Sequence, residues 1–157
     1  MSRMLGRVST AVAVAALAVP ATAMANGHRR DRSFRLVAKE TEFQMLDLAP
    51  SGSVGDQFVF ADDLYRDGRW VGDDGGSCTI TRFQSYDEFD ANCIDTLRLR
   101  GGQITLQGLV TFSNGGLDRT TVAITGGTGA YRGASGEVVI RAVSDTNEIY
   151  TVRLGRR

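Results

Sequence analysis

Short runs of alternating apolar and polar residues, separated by turn-forming residues, most constrain what this chain can fold into. Eight such runs follow one another, and β-branched and aromatic residues are frequent in them. The breaks contain turn dipeptides such as Asp67-Gly68 and Gly101-Gly102. We find no helical periodicity after residue 25. Eight short antiparallel strands in about 120 residues predict an all-β fold, either a closed barrel or a sandwich.

The strand boundaries follow from these turn signals. Four consecutive residues, Asp73-Asp74-Gly75-Gly76, predict a turn. After the first 25 residues the only proline is Pro50, which lies in a predicted loop and contradicts no strand. The predicted strands are Phe34–Leu48 (long enough to bend), Gln57–Tyr65, Ser77–Tyr86, Asn92–Leu99, Gln103–Phe112, Thr120–Thr125, Glu137–Ser144 and Ile149–Leu154.

Residues 1–25 have the pattern of a secretory signal peptide. Arg3 and Arg7 precede the apolar run Val8–Val19, and Ala23-Met24-Ala25 matches a cleavage site. The apolar run is about 12 residues, shorter than a membrane-spanning helix needs, so a retained anchor is the less favoured alternative. We expect a secreted protein without membrane association after cleavage, with a flexible tail over 26–32 and one domain over 33–157.

Charge and histidine content argue against several function classes. Without the first 25 residues the chain has 16 basic and 18 acidic residues, so electrostatics do not favour a nucleic-acid partner. The only histidine, His28, lies in the predicted tail and is a poor candidate for a base or ligand. With two cysteines, a zinc site has too few good ligands. No GxSxG motif is present. We predict no metal site.

The two cysteines predict one disulfide. Cys78 and Cys93 flank a predicted turn near residues 86–88, and their midpoint falls at that turn, so they would face each other across a hairpin. Disulfides persist in exported proteins. The alternative is that one of them is a free thiol in a pocket.

The run QFVFADDLY contains the main candidate site residue. A period of two places Phe58, Phe60, Asp62 and Leu64 on one face, and three large apolar side chains predict that this face is interior. Asp62 would then be an inward carboxyl with a raised pKa, a candidate catalytic acid or base. In the alternative, Asp62 lies at the barrel rim and is solvated.

Further candidate site residues lie on the first strand and among the tyrosines. Glu40 and Glu42 share a face of the first strand, where they are either catalytic partners or part of a solvated surface. Tyr131 and Tyr150 are first of all core residues. We group these tyrosines with the three apolar residues of the QFVFADDLY face as candidate ligand contacts.

The stretch Val122–Val138, reading VAITGGTGAYRGASGEV, contains five glycines. A phosphate-binding loop would need a following Lys and a helix, whereas a strand follows here. We therefore favour a tight strand-to-strand connection with glycine at positive φ or in close backbone contact. Gly127 and Gly129 are the candidate positions.

With these segments in place, the chain resembles the allene oxide cyclase and dirigent superfamily. Three blocks carry the resemblance, in order and with matching spacing: GDQFVFADDLY (Gly55–Tyr65), GGQITLQGL (Gly101–Leu109) and the glycine-rich stretch. The resemblance implies an eight-stranded antiparallel, lipocalin-like barrel. It also implies an apolar cavity that needs no cofactor, in which cyclases close a fatty-acid epoxide and dirigent proteins direct the coupling of reactive phenols.

The resemblance also suggests roles for single residues. Asp62 matches a cyclase asparagine that helps hold a bound water, Glu40 matches the cyclase pocket glutamate, and Cys78 matches a pocket cysteine. The cyclase aromatic lining before LQGL is replaced here by Leu97-Arg98-Leu99-Arg100, so we expect a different substrate.

Two function classes therefore compete. The first is a cofactor-independent cyclase or isomerase acting on a small apolar or aromatic molecule, with Asp62 and Glu40 polarising or protonating it. The second is a non-catalytic binding or envelope barrel. Self-association into a homo-oligomer is left open.

Overall fold

The structure, a computed structural model, describes residues 32–46, 52–114 and 116–155. The predicted signal peptide (1–25) and residues 26–31 of the predicted tail lie outside the described residues. Arg32, the last residue assigned to that tail, is the first residue of a strand. Among the residues described, no helix is long and apolar enough to cross a membrane.

Nine strands and one 3₁₀ turn make up the described part of the chain. The turn is Gly129–Tyr131. The strands are β1 (Arg32–Leu46), β2 (Gln57–Arg66), β3 (Arg69–Ser85), β4 (Glu88–Leu99), β5 (Gly102–Ser113), β6 (Gly116–Leu117), β7 (Thr120–Gly127), β8 (Gly136–Ser144) and β9 (Asn147–Leu154).

All strand pairs are antiparallel, and eight of the strands close into a barrel. Around the ring the order is β1, β2, β3, β4, β5, β7, β8 and β9, and β9 pairs again with β1. The two-residue β6 pairs only with the end of β5. Closure leaves no long unpaired strand edge in this ring. The prediction of an eight-stranded antiparallel barrel is confirmed.

The predicted turn at 73–76 is wrong, because β3 runs without a break from Arg69 to Ser85. The sequence there resembles a turn, but β3 pairs with both β2 and β4, and these two ladders hold the segment extended. The turn that the sequence also predicts at Asp67-Gly68 is present between β2 and β3, and both of its residues have positive φ. Strand pairing in the barrel therefore overrides the local preference of this segment.

The first strand bends, as its length led us to expect. The pairing of β1 with β2 shifts between Glu40 and Glu42, where a β-bulge occurs. Glu40 lines the barrel interior, whereas Glu42 is exposed and is not among the lining residues. The expectation that both glutamates share one face therefore fails, because the extra residue of the bulge changes the alternation.

The barrel interior is filled in one half and open in the other. In the filled half, six aliphatic side chains from six strands are at most 1% exposed. Their packing against one another contributes apolar burial that stabilises the fold. These residues are Leu36, Leu64, Leu97, Ile104, Val138 and Val152.

The glycine-rich stretch forms a close-packed connection between two strands. The sequence favours this structure over a phosphate-binding loop. Gly129 has φ of +57°, and a Cβ there would overlap the carbonyl oxygen of Gly101. The amide of Ala130 donates a hydrogen bond of 2.8 Å to that same oxygen. Gly127 does not have positive φ, but a Cβ there would crowd two backbone oxygens. Both glycines thus allow the close approach of this connection to the start of β5.

Candidate functional site

The open half of the barrel contains a cavity of about 580 Å³. A volume of this size suits a small organic ligand. Its walls come from the inward faces of the eight barrel strands, from the short β6 and from the turn between β8 and β9. The filled half described above forms its floor.

One end of the cavity is apolar and rich in aromatic rings. The rings of Phe89 and Phe112 stack with centroids 4.6 Å apart, and Phe58 packs edge-on against Phe112 at 5.5 Å. Phe43 also contacts Phe58, at 5.6 Å between ring centroids. Such surfaces favour flat, apolar ligand groups. The other apolar lining residues of this end are Met45, Phe60, Val110 and Leu117.

The predicted disulfide is present and forms part of the cavity wall. Cys78 and Cys93 are paired directly across β3 and β4, and their sulfur atoms are bonded. Both residues line the cavity. The free-thiol alternative is thereby excluded for the described structure, and Cys78 takes its place in the cavity as half of a disulfide.

Carboxyl groups converge at the other end of the cavity, next to the filled half. Glu40, Asp62 and Asp74 are partners in one row across β1, β2 and β3. Glu40 and Asp62 line this end together with Asp95 of β4 and Glu148 of β9, whereas Asp74 is buried and does not line it. None of the residues described in the lining is Lys, Arg or His. This end of the cavity is therefore acidic, and no described lining residue supplies a compensating positive charge.

Asp62 lies at the centre of the acidic end. It is only 7% exposed, and its Oδ2 accepts a long hydrogen bond of 3.4 Å from the hydroxyl of Tyr150. Burial raises the pKa of its carboxyl, while hydrogen bonds from Asp74 and Tyr150 act in the opposite direction. The prediction that Asp62 points inward is correct, which removes the alternative of a solvated position at the rim.

Asp74 and Asp95 are more strongly perturbed. Burial, and after it the charges of Asp95 and Asp62, raise the pKa of Asp74 to about 10. Burial likewise raises the pKa of Asp95 to about 7. Within the described part of the chain, Oδ2 of Asp74 and Oδ1 of Asp95 are buried without a hydrogen-bond partner. Asp74 is therefore neutral at pH 7, since an isolated buried charge is costly.

Glu148 and Glu40 complete the cluster from the side of β9 and β1. Burial and then the nearby charge of Asp62 raise the pKa of Glu148 to about 7, against a hydrogen bond with Tyr150 that lowers it. The pKa of Glu40, a more exposed residue, is also raised by burial and by the charge of Asp62. The pKa of the Tyr150 hydroxyl is raised well above its usual value by burial and then by the surrounding carboxylates.

This arrangement can donate and accept protons near neutral pH. A carboxyl with a pKa of about 7 is half protonated there, which suits a general acid or base. Asp62 and Glu148 both contact Tyr150, so a proton can move along a short polar network within the apolar barrel. In the described residues, no group of three His, Cys, Asp or Glu is arranged to hold a metal ion.

The candidate residues named from the sequence fall into two groups. Five of them line the cavity: Glu40, Phe58, Phe60, Asp62 and Tyr150. Leu64 and Tyr131 do not line it. Leu64 is fully buried in the filled half, because the strand passes below the floor there, and Tyr131 lies in the 3₁₀ turn, packed against the core. The structure brings the first five together, but their roles in binding or catalysis stay predictions.

Three acidic residues of the cluster were missed from the sequence: Asp74, Asp95 and Glu148. Asp74 was assigned to a turn, which hid its alternation with the inward-facing Cys78 of the same strand. Asp95 and Glu148 each lie two residues from a buried residue, Leu97 and Tyr150 respectively, so the period of two could have placed them inward. Their joint position depends on barrel closure, which no local pattern contains.

Comparison with known proteins agrees with this geometry. A family profile described as "Allene oxide cyclase barrel like domain" matches residues 35–154. No curated protein sequence matches the chain.

Several solved structures are similar. A "Pyocyanin demethylase" is 32% identical, with a TM-score of 0.68 over 79% of this chain and 100% of that one. The Diels-Alderase AbmU from Streptomyces koyangensis is 15% identical, with a TM-score of 0.56 over 79% and 67% of the two chains. A pterocarpan synthase dirigent protein is 18% identical, with a TM-score of 0.55 over 76% and 84%. The last two likenesses concern the fold alone. The profile match over most of the described residues shows that this chain belongs to the allene oxide cyclase barrel-like family.

Proposed function

We propose that the barrel binds a small molecule with an aromatic or apolar body and a protonated nitrogen or other hydrogen-bond donor, and catalyses proton transfer on it. One observation carries the proposal: an aromatic cavity ends in a carboxyl cluster, and none of the described residues that line the cavity is a cation. The phenylalanine rings would hold the apolar body, and the carboxyl groups would favour a positive or proton-donating end.

Asp62 and Glu148 have the catalytic roles in this proposal. Asp62, held by the Tyr150 hydroxyl, removes a proton from the ligand. Glu148, with a pKa of about 7, returns a proton at a second position, so the net reaction is an isomerisation or cyclisation without oxidation. Glu40, the partner of Asp62 across β1 and β2, polarises the ligand. Exclusion of water by the apolar walls strengthens these interactions.

A non-catalytic binding barrel is the second candidate. The stack formed by Phe89 and Phe112 would hold a flat ligand without any chemistry. Turnover separates the two functions, since both require binding but only the first requires a proton-transfer product.

Binding is tested with two probes that share one ring system and differ in charge, 9-aminoacridine and acridine-9-carboxylate. We expect the cation to bind at least about tenfold more tightly at pH 8 in fluorescence titrations, because one favourable charge contact is worth about 1.4 kcal/mol or more at a partly buried site. Asp62→Asn and Glu148→Gln should both reduce the preference. Asp63→Asn is the matched control, because Asp63 hydrogen-bonds Trp70 on the outside of the barrel. Equal affinity for the two probes would refute the proposed ligand class.

Catalysis is tested on pyocyanin first, because a demethylase of that compound is 32% identical to this chain. The measurement is conversion of pyocyanin, followed by absorbance and product mass, with wild type, Asp62→Asn and Asp63→Asn. Loss of conversion in Asp62→Asn alone supports the catalytic role. Binding of the cationic probe without conversion of pyocyanin or of any compound in a panel of cationic aromatics would favour the second candidate.

We also propose that the protein is exported and cleaved after Ala25. The residues 1–25 support this through their charged start, apolar run and small-residue site. Intact mass of protein from the culture medium should correspond to a chain that begins at Asn26. A full-length chain retained with the cells would contradict it.

A further inference from the structure

The cavity opens to one side of the barrel, between β1 and the turn that joins β8 to β9. The ladder between β1 and β9 ends at the pair of Lys39 with Asn147, and the amide of Glu40 donates a hydrogen bond of 2.9 Å to the carbonyl oxygen of Thr146 in the turn. Beyond this point β1 continues to Leu46, and among the described residues its segment 41–46 pairs only with β2. Residues of this segment and of the turn both line the cavity, so the opening lies between them.

Two β-bulges turn apolar side chains toward this opening. In β1, the bulge described above changes the alternation, so Phe43 lines the cavity although Lys39, at an even spacing before it, does not. In β8, the pairing with β9 shifts between Ala142 and Ser144, and Val143 lines the cavity together with its neighbour Ala142. Bulges re-aim side chains beside functional sites. The two irregularities face each other across the opening, and each places an apolar residue at its edge.

Both of these apolar residues are exposed to solvent as well as to the cavity. Phe43 is 52% exposed and Val143 is 47% exposed. Phe43 also packs against Phe58 of the aromatic end, so apolar surface continues from inside the barrel to the opening. Covering this surface with a further apolar group would be favourable. A ligand that fills only the interior would leave it in contact with water.

The opening lies beside the acidic end of the cavity. Glu40 lies where β1 contacts the turn, and Glu148 follows the turn at the start of β9. Both side chains line the cavity together with Asp62, the partner of Glu40 on β2. A cationic nitrogen held by these carboxyl groups would lie next to the opening. A substituent on that nitrogen would therefore leave the cavity between Phe43 and Val143.

We propose that Phe43 and Val143 form a second subsite, which binds an apolar chain attached to the cationic nitrogen of the ligand. This inference rests on the proposed function, because the carboxyl cluster determines where the nitrogen lies. It narrows the ligand class to aromatic molecules whose charged nitrogen has an alkyl substituent. The aromatic body contacts the phenylalanine rings inside the barrel, the nitrogen contacts the carboxyl groups, and the chain covers the two exposed apolar residues at the opening.

The test compares 9-aminoacridine with 9-(hexylamino)acridine, which differ only in the chain on the amine, by fluorescence titration at pH 8. We expect wild type to bind the hexyl compound at least about tenfold more tightly, because burial of roughly two methylene groups is enough for this ratio. Val143→Ser should remove most of the gain, measured as the ratio of the two dissociation constants. Leu109→Ser is the matched control and should keep the wild-type ratio, since Leu109 is exposed but does not line the cavity. Equal binding of the two compounds by wild type, or a ratio that Val143→Ser retains, would overturn the inference.

A second measurement examines the subsite without an acridine. Val143→Cys and Leu109→Cys each introduce one thiol, which is labelled with the polarity-sensitive dye acrylodan, while the bond between Cys78 and Cys93 keeps those two residues from reacting. We expect emission at shorter wavelength from the dye at position 143, because it can lie against the apolar surface of the opening. Equal emission from the two positions would overturn the inference. If wild type binds neither acridine, the proposed ligand class fails, and the difference in emission then decides the subsite by itself.

Discussion

At the scale of single residues, the side chains of Asp62, Glu148 and Tyr150 mark the point where the cavity changes from apolar to acidic. The Tyr150 hydroxyl contacts both carboxyl groups and is itself buried. Because water is largely excluded there, each carboxyl influences the ionisation of the others. The chemical properties of the site therefore belong to the group of residues and not to any one of them.

Glu148 provides a prediction about pH. As the pH rises through about 7, Glu148 becomes charged, so affinity for a cationic aromatic probe should rise in wild type. Glu148→Gln should reduce this rise to the part contributed by Asp95, whose pKa is also about 7. The measurement is the dissociation constant of 9-aminoacridine between pH 5.5 and 8.5, where the probe itself stays protonated. Glu137→Gln, an exposed change in a pair with Arg153, is the control and should match wild type. An unaltered profile in Glu148→Gln would contradict this assignment.

At the scale of structural elements, the connection from β7 to β8 and the pair of strands β3 and β4 determine the shape of the barrel wall. The connection contains glycines at positions where a side chain would collide with neighbouring backbone. The strand pair is closed by the disulfide, which faces the cavity. Each element can be tested by a change that leaves the acidic cluster intact.

Gly129 and Gly133 form a matched pair for the glycine-rich connection. Both have positive φ, but only Gly129 lies against backbone atoms, whereas a Cβ at Gly133 would meet nothing within 4 Å. We expect Gly133→Ala to cost about 1 kcal/mol from backbone strain alone, and Gly129→Ala to cost at least about 2 kcal/mol because the clash adds to it. Urea unfolding measures both free energies. Equal losses would show that the close packing at Gly129 can relax.

We expect removal of the disulfide to lower the stability of the protein without loss of the fold. It closes a loop with a sequence separation of 15 residues, for which the chain-entropy model gives about 3 kcal/mol. The double variant Cys78→Ala/Cys93→Ala should therefore unfold at lower urea concentration, while its far-ultraviolet circular dichroism should remain that of a β protein. Reduction of the disulfide in wild type with a phosphine should likewise lower the urea concentration at which the protein unfolds. Unchanged stability in both experiments would show that the disulfide does not stabilise the fold by closing this loop.

At the scale of the whole molecule, the barrel is half filled and half open, and the acidic cluster lies at the boundary. The aliphatic floor stabilises the fold through burial, whereas the buried carboxyl groups oppose it when they ionise. Stability and the properties of the site are therefore linked through pH.

This linkage predicts that the protein is less stable at high pH. The folded-state pKa values of Asp95 and Glu148 are about 7 and that of Asp74 is about 10, all above their unfolded values. Their stabilising contribution to the free energy of unfolding is fully present below about pH 4. It is lost as the pH rises through about 7 and then about 10. We expect the Tm at pH 9 to be lower than at pH 5 by more than about 5 °C in calorimetry. A Tm that rises over this range would contradict the neutral state of these groups.

The sequence by itself determined the class of fold and the inward direction of the main candidate residue. Period-two alternation and turn residues identified strands close to the observed ones, and alternation with Phe58 and Phe60 placed Asp62 inside. The spacing of Cys78 and Cys93 around a turn was enough for the disulfide, because partners in a hairpin are close in the chain. These features depend on local spacing, so the sequence contains them directly.

Only the tertiary structure decided which carboxyl groups meet. Asp62 and Glu148 are far apart in the sequence and come together because β9 pairs with β1 when the barrel closes. The same closure holds residues 73–76 in a strand, although their composition favours a turn. The bulge that separates Glu40 from Glu42 and the floor that removes Leu64 from the cavity wall depend on packing between distant strands. Contacts between distant strands form only when the whole sheet is assembled, and for that reason no local pattern in the sequence contains them.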